Sequence, residues 1–472
     1  QGPNFDGHDF VSKAAAAGAV GAITNRVLEA TIPQIIVNDT QKALEKLATA
    51  WRTQLPGRVI SITGSNGKTT TKELIASVLR HAGTVAATQG NLNNSIGVPL
   101  TLLRAKDQDF LVVEMGANHP GEIATLSAIA QPDVAMITNA GRAHLEGFGS
   151  VEGVAKAKGE ILSGLGPDGV CVLNADDKWL PLWQELAGTR KVLTFGRSSK
   201  ADITVDTIET PLRLSITGFH SRVQLRTPRG LLNLDLALAG DHNLLNALAT
   251  VAVAEALELQ PEAIQAGLWE TRPVSGRLQP LQSQNGAWLI DDSYNANPDS
   301  VKAALEVLRT LPGQHWLALG DLAELGPQAI NLHRELGKEA KNAGLDHLWA
   351  VGPLSAETVA SFGAGGRWFP DREFPISLLG LPQVATLKLQ PQQLLPRHLI
   401  DYDHQPVLPV MLITRPGSCV RQAVANFSRA FCVSFTIICG IVASKTLLVI
   451  APTAPAAAAL DTKSWPSKLG PC

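Results

Sequence analysis

The run Thr63-Gly64-Ser65-Asn66-Gly67-Lys68-Thr69-Thr70 lies between a β-branched stretch, residues 58–63, and an amphipathic stretch, 68–81, that reads as a helix. Glycines in such a turn let backbone N–H groups close on phosphate oxygens, and the start of the helix adds partial positive charge. Lys68 can reach the outer phosphates of a nucleoside triphosphate, and Thr69 can offer its hydroxyl to Mg²⁺. Only Ser65 and Asn66 separate Gly64 from Gly67, so the spacing is tighter than the common G-x-x-x-x-G-K-[ST] form. The alternative is a Gly-rich turn without a ligand. Either way, a strand–turn–helix unit of this kind predicts an α/β domain built on a mostly parallel sheet.

Outward from the loop, residues 56–275 keep the same alternation. Buried strands are predicted at 110–114 and 134–138, and helices at 151–165, capped by Ser150, and at 243–257. Residues 202–240 read as strand-rich, with turns at 217–218 and 228–230. Residues 276–379 repeat the rhythm and predict a second, Rossmann-like domain: strands at 288–291, 316–319 and 348–351, helices at 298–310 and 328–343. Residues 1–55 predict a partial α/β piece. It has a helix at 10–17, strands at 22–24 and 34–37, and a helix at 40–51 capped by Thr40, as if the domain began upstream.

Residues 380–472 differ. They hold 3 Asp and no Glu against 8 Lys+Arg, and four of the 5 cysteines: Cys419, Cys432, Cys439 and Cys472. This tail is read as foreign to the domain before it and without expected order. Its apolar run at 430–444 is shorter than the ~20 residues a spanning helix needs, so stable membrane insertion is not expected. The whole chain has 472 residues and a net charge of −2, with 5% aromatics. That argues against nucleic-acid binding. Five cysteines fit a reducing compartment better than a disulfide scaffold.

Three further residues bear on chemistry. Glu114 ends an apolar strand, and His144 follows the next one, so both fall beyond strand C-termini, where α/β folds bind ligands. They read either as Mg²⁺ ligands beside phosphate oxygens or as a capping carboxylate and a loop histidine. Lys158 falls on the apolar face with Val151, Val154, Ala155, Ile161 and Leu162. It either snorkels to solvent or is buried, in which case it must be paired, neutralised or modified.

Taken together, these strings resemble the Mur ligases, the ATP-dependent amide-forming enzymes of bacterial cell-wall synthesis. The matching segments are TGSNGKTT (63–70), EMGAN (114–118), HLEGFG (144–149), GDHNLLN (240–246) and DDSYNANP (291–298). The resemblance runs over about residues 1–375. NLNNSIGVP (91–99), SYNANP (293–298) and GDLAELG (320–326) point to the branch that joins D-Ala-D-Ala to UDP-MurNAc-tripeptide through an acyl phosphate.

The resemblance implies three domains: a partial UDP-substrate domain, a P-loop ATPase domain and an incomplete Rossmann-like domain. It implies ATP bound by Gly64, Ser65, Asn66, Gly67, Lys68, Thr69 and Thr70, with Asn243 and Asn246 meeting adenine, Arg277 contacting the nucleotide and Asp292 binding the ribose or helping to close the domains. It implies Mg²⁺ held by Thr69, Glu114, His144 and, if carbamylated, Lys158. Lys68, Glu114, His144 and Lys158 would be catalytic. Asn91, Asn93, Asn94 and Asn295 would meet the substrate peptide. A monomeric cytoplasmic enzyme is implied.

The family's closing Lys-Gly-Ser-Arg turn is absent, and the match fades between 372 and 377, as a reading-frame shift or a gene-model error would cause. Two other readings stay open at this level: a nucleotide-binding remnant without activity, and another amide ligase such as a folylpolyglutamate synthase. Residues 291–298 argue against the latter.

Overall fold

The computed structural model describes residues 6–282, 288–323, 325–370 and, as backbone, 446–451. The tail's apolar run at 430–444 and its four cysteines lie outside the described residues.

After a single 3-10 turn at Gly7–Phe10 come α1 (Val11–Ala16), β1 (Ala22–Thr24), β2 (Gln34–Ile36) and α2 (Thr40–Arg52), with β1 and β2 parallel. The cap of α2 is Asp39, not Thr40. Its carboxylate accepts from the N–H groups of Gln41 and Lys42, at 2.9 and 3.0 Å, and satisfies two open donors at once. The helix docks on the next domain through Trp51 Nε1 to the Ala105 carbonyl, 3.0 Å, and Arg52 Nε to the Ala130 carbonyl, 2.9 Å.

The central domain comprises β3 (Arg58–Thr63), α3 (Lys68–Arg80), β4 (Val85–Ala87), α4 (Gly97–Arg104), β5 (Phe110–Glu114), α5 (Glu122–Ala130), β6 (Val134–Ile137), α6 (Leu145–Phe148), α7 (Val151–Gly159), β7 (Val170–Asn174), α8 (Leu180–Ala187) and β8 (Lys191–Phe195). Its six strands are all parallel, in the order β4-β5-β3-β6-β7-β8. Both faces are covered, which is why the strands read as unbroken apolar runs. Along β3, Ile60 and Ile62 enter the core shared with α3, whereas Val59 enters the opposite core with α5 and α8. The helix predicted over 151–165 is shorter than expected. It tightens into a 3-10 turn, Glu160–Gly164, where Glu160 reaches across to accept from Gly121 and Ala124 N–H at the start of α5.

The strand-rich segment is an antiparallel sheet of β9 (Thr204–Ser215), β10 (Gly218–Thr227) and β11 (Gly230–Leu236), joined by the two expected turns. Then α9 (Asp241–Ala256) packs beside α3, followed by α10 (Pro261–Glu270).

The last domain has β12 (Gln279–Gln282), β13 (Trp288–Asp292), α11 (Pro298–Thr310), β14 (Gln314–Gly320), α12 (Ala329–Asn342), β15 (His347–Val351), α13 (Ser355–Phe362), β16 (Gly366–Phe369) and β17 (Thr446–Ala451). The sheet order is β12-β13-β17-β14-β15-β16. Here the structure corrects the reading of the tail as wholly foreign. Residues 446–451 sit between β13 and β14, antiparallel to both. A run rich in β-branched residues and leucine suits an interior strand, but its separation in sequence hid the pairing.

Ile62 is fully buried at the centre of the parallel sheet. Ile62→Ala is expected to destabilise the central domain by about 2–5 kcal/mol, read from the midpoint shift in urea unfolding at unchanged slope.

Candidate functional site

The C-terminal ends of β3, β5 and β6 open into a cleft of about 1070 Å³ between the central and last domains. Of the residues singled out from sequence, all but Gly64 line it. Gly64 lies against β6, at φ +148°, where an added Cβ would fall 1.9 Å from Thr138 Oγ1. Gly67 starts α3 at φ +83°, and a Cβ there would fall 2.4 Å from Asn246 Oδ1. Both positions therefore demand glycine, for conformation and for space.

The loop is held from the end of β6. Asn139 grips Asn66 through both amide atoms: Oδ1 accepts from Asn66 N–H at 3.0 Å, and Nδ2 donates to the Asn66 carbonyl at 3.1 Å. Ser65 N–H donates to the Asn139 carbonyl, 3.0 Å. Lys68 folds over the loop, its Nζ donating to the carbonyls of Gly64 and Ser65 at 2.7 and 3.2 Å. Burial lowers its pKa most, Glu114 opposes that shift, and the nearby Arg277 adds to it.

Glu114 is buried. Its Oε1 accepts from Asn93 Nδ2 at 2.9 Å, and its Oε2 has no hydrogen-bond partner among the described residues. A buried carboxylate oxygen without a partner, on a residue that lines the same polar cleft as Thr69, fits a hard cation such as Mg²⁺. Among the described residues no three His, Cys, Asp or Glu side chains converge as a metal cage. The donor set therefore suits a cation that shares its coordination with phosphate and water. His144 lines the same cleft in the left-handed conformation, φ +53°. Lys158, for which the sequence left snorkelling and burial open, is buried, with Nζ 5.3 Å from the Phe148 ring centroid. Burial, reinforced by Lys68, pushes its pKa down to about 7, against the pull of Glu160 and Glu122.

Asn243 and Asn246 share one face of α9. Asn246 Nδ2 donates to Asn243 Oδ1 at 3.0 Å, and Asn243 Nδ2 to the Ala239 carbonyl at 2.8 Å. They thereby wall the cleft behind Gly67. Asn93 holds Glu114, and Asn94 Oδ1 closes the turn into α4 by accepting from Ile96 and Gly97 N–H. Asn91 and Asn295 are exposed in the cleft.

The last domain reaches in with Arg277, whose guanidinium stacks 4.4 Å from the Tyr294 ring centroid and donates to Thr69 Oγ1 at 2.9 Å. Asp292 Oδ1 accepts from Leu278 N–H, 3.3 Å. Sequence reasoning found Arg277 but missed two other residues that join the domains. Asn297 Nδ2 donates to Asn66 Oδ1 at 2.7 Å, and Asp299 accepts from Arg142 N–H at 2.9 Å. Asn297 caps α11 with Pro298 behind it, a legible helix start, but its reach across domains had no local signal.

Comparison with known proteins identifies this arrangement. Residues 62–254 match the Mur ligase middle domain, and residues 276–379 match the Mur ligase, glutamate ligase domain. The UDP-N-acetylmuramoyl-tripeptide--D-alanyl-D-alanine ligase of Escherichia coli (strain K12) is 43% identical over 394 residues, 82% of this chain and 85% of that protein. The enzyme of the same name from Bacillus subtilis (strain 168) is 37% identical, over 75% of this chain and 77% of its own. Among solved structures, MurF from Acinetobacter baumannii superposes with a TM-score of 0.73 at 38% identity, covering 78% of this chain and 80% of that one. MurF from Thermotoga maritima in complex with ADP gives 0.70 at 30% identity, covering 79% and 84%. The chain belongs to the Mur ligase family. Within it, its place is among the MurF ligases.

Gly67→Ala is expected to weaken ADP binding at least about tenfold in isothermal titration calorimetry, because the left-handed backbone and the Asn246 contact both resist a methyl group. Thermal unfolding of the variant should fall only modestly.

Proposed function

We propose that this chain joins D-Ala-D-Ala to UDP-MurNAc-tripeptide, using ATP, in the synthesis of peptidoglycan precursors. The observation that carries this is the convergence of the phosphate loop, Glu114 and the incoming Arg277 on one cleft, in a chain that follows MurF ligases over most of their length.

A peptide carboxylate is a poor acylating agent. Its oxygen attacks the γ-phosphorus of ATP, the bond to the β-phosphate oxygen breaks, and ADP leaves. The amine of D-Ala-D-Ala then adds to the acyl-phosphate carbon, loses a proton and expels inorganic phosphate. Lys68 and the loop N–H groups neutralise charge on the transferring phosphoryl group, and Arg277 brings a second cation from the other domain. Thr69, Glu114 and His144 would hold Mg²⁺, which supplies Lewis-acid stabilisation of the phosphate oxygens. Asn243 and Asn246 shape the adenine side, and Asp292 lies toward the ribose. Asn91 and Asn295 are placed to meet the peptide, with Asn93 and Asn94 shaping the turn beneath it. Residues 1–55 belong to the UDP-substrate side, 56–275 form the ATP-binding domain, and 276–379 form the domain that closes over the nucleotide. A cytoplasmic monomer is the accompanying reading.

Two outcomes test this. Phosphate release from ATP should require tripeptide precursor and D-Ala-D-Ala together, and Lys68→Ala should lower it by on the order of 10²–10³-fold. Release indifferent to either acceptor would sink the proposal.

Lys158 would join the metal site as a carbamate. With its pKa lowered to about 7 by burial, far more of it is neutral at pH 7, the form that adds CO₂, than of an ordinary lysine. Added bicarbonate should therefore raise activity, and the carbamate should be lost as pH falls below 7. In CO₂-free buffer the sign for stability is set by the lowered folded pKa. Charging a buried lysine costs the fold below pH 7, and that cost is relieved as pH rises from about 7 toward the ordinary lysine value. Chemical denaturation across that window reads it.

A further inference from the structure

Lys72 lies one turn beyond Lys68 on α3, is 2% exposed, and has no part in the chemistry above. Its Nζ donates to the Thr88 carbonyl at 2.8 Å and lies 2.9 Å from Glu73 Oε1. A buried ammonium is unfavourable unless paired and hydrogen-bonded, and an apolar side chain would fill the same space at less cost. The lysine needs a reason to be there.

Thr88 supplies one. Its N–H donates to the Val112 carbonyl at 2.9 Å and so continues the parallel ladder of β4 and β5. In a regular ladder the next bond would run from Glu114 N–H to the carbonyl of Thr88. Instead Glu114 N–H donates to Thr88 Oγ1, at 3.0 Å, and the displaced carbonyl turns to Lys72. The hydroxyl has taken over the ladder position, and the chain leaves the sheet at this residue. The turn that departs carries Asn93. Its Nδ2 donates to Glu114 Oε1 at 2.9 Å, and its carbonyl accepts from Gly116 N–H at 2.8 Å. Glu114 is thus fixed at its backbone by Thr88 and at one carboxylate oxygen by Asn93, while Oε2 has no hydrogen-bond partner among the described residues.

We infer that Lys72 is a positioning residue: by holding the Thr88 carbonyl out of the ladder it sets the exit of the 89–96 turn and, through Thr88 and Asn93, the aim of the Glu114 carboxylate. This rests on the reading of Glu114 as the carboxylate that faces the metal–nucleotide complex.

The test uses the full chain with ADP and Mn²⁺ as the probe, following Mn²⁺ affinity by electron paramagnetic resonance, with Glu114→Gln as the reference variant. Lys72→Met and Thr88→Val should each weaken Mn²⁺ binding about tenfold or more and leave the KM for D-Ala-D-Ala unchanged. The double variant should be no worse than the poorer single one, because both cut the same chain of contacts. Lys72→Arg, which keeps donors at the site, should recover part of the loss. Should Lys72→Met fail to fold, Thr88→Val decides alone. Folded Lys72→Met or Thr88→Val with wild-type Mn²⁺ affinity, beside a weakened Glu114→Gln, overturns the role of Lys72 and spares that of Glu114. Wild-type affinity in Glu114→Gln overturns both.

Discussion

The site depends on one clamp. Asn139, just past the end of β6, holds the backbone of Asn66 on both sides of its Cα by donating to its carbonyl and accepting from its N–H. Thr138 Oγ1 donates to the same carbonyl at 2.6 Å. A loop that must offer N–H groups to phosphates cannot also fold them into a regular ladder, so its shape has to be imposed by neighbours. Here a neighbouring strand of the parallel sheet imposes it. The buried faces of that sheet, with Ile60, Ile62, Val112 and Met136 against α3 and α9, make the clamp stiff.

The second domain meets this loop through polar contacts: Asn297 on Asn66, Arg277 on Thr69, and Asp299 on the backbone of Arg142. Away from the loop the two domains share an apolar cluster, with Phe219 and Ala239 of the central domain among Leu278, Val307 and Leu311 of the last. Polar contacts, which break and form at modest free-energy cost, therefore make up the cleft side of an interface that is apolar elsewhere. Each polar contact touches the phosphate loop or the segment that braces it, so the seating of the last domain and the shape of the loop are coupled at the same few atoms.

Much of this was legible in residue order. The phosphate loop is contiguous, its glycines announce left-handed or crowded backbone, and the flanking strand and helix follow from local pattern. The helical face of Lys158 was legible, but spacing alone left snorkelling and burial both open; the packing around α7 decided for burial. Ser150 as a cap, the hairpin turns of the antiparallel sheet and the βα rhythm of the last domain follow from turn and capping chemistry. Asp39 displaced Thr40 as the cap of α2 because neighbouring cap residues compete and the carboxylate took two donors. The asparagines of the 91–94 turn were read as substrate contacts. Two of them also hold Glu114 and the start of α4, contacts the sequence did not show, since an amide carries no mark of whether its partner is protein or ligand.

The sequence by itself determined the elements, the parallel central sheet and the position of the phosphate loop, because these rest on periodicity and on short-range backbone chemistry. Only the tertiary structure decided which distant groups meet: Asn139 on Asn66, Asn297 across the domains, Lys72 on Thr88, and residues 446–451 between β13 and β14. Hydrogen-bond partners far apart in the chain are chosen by how sheets and helices pack in space, and no local pattern encodes that choice.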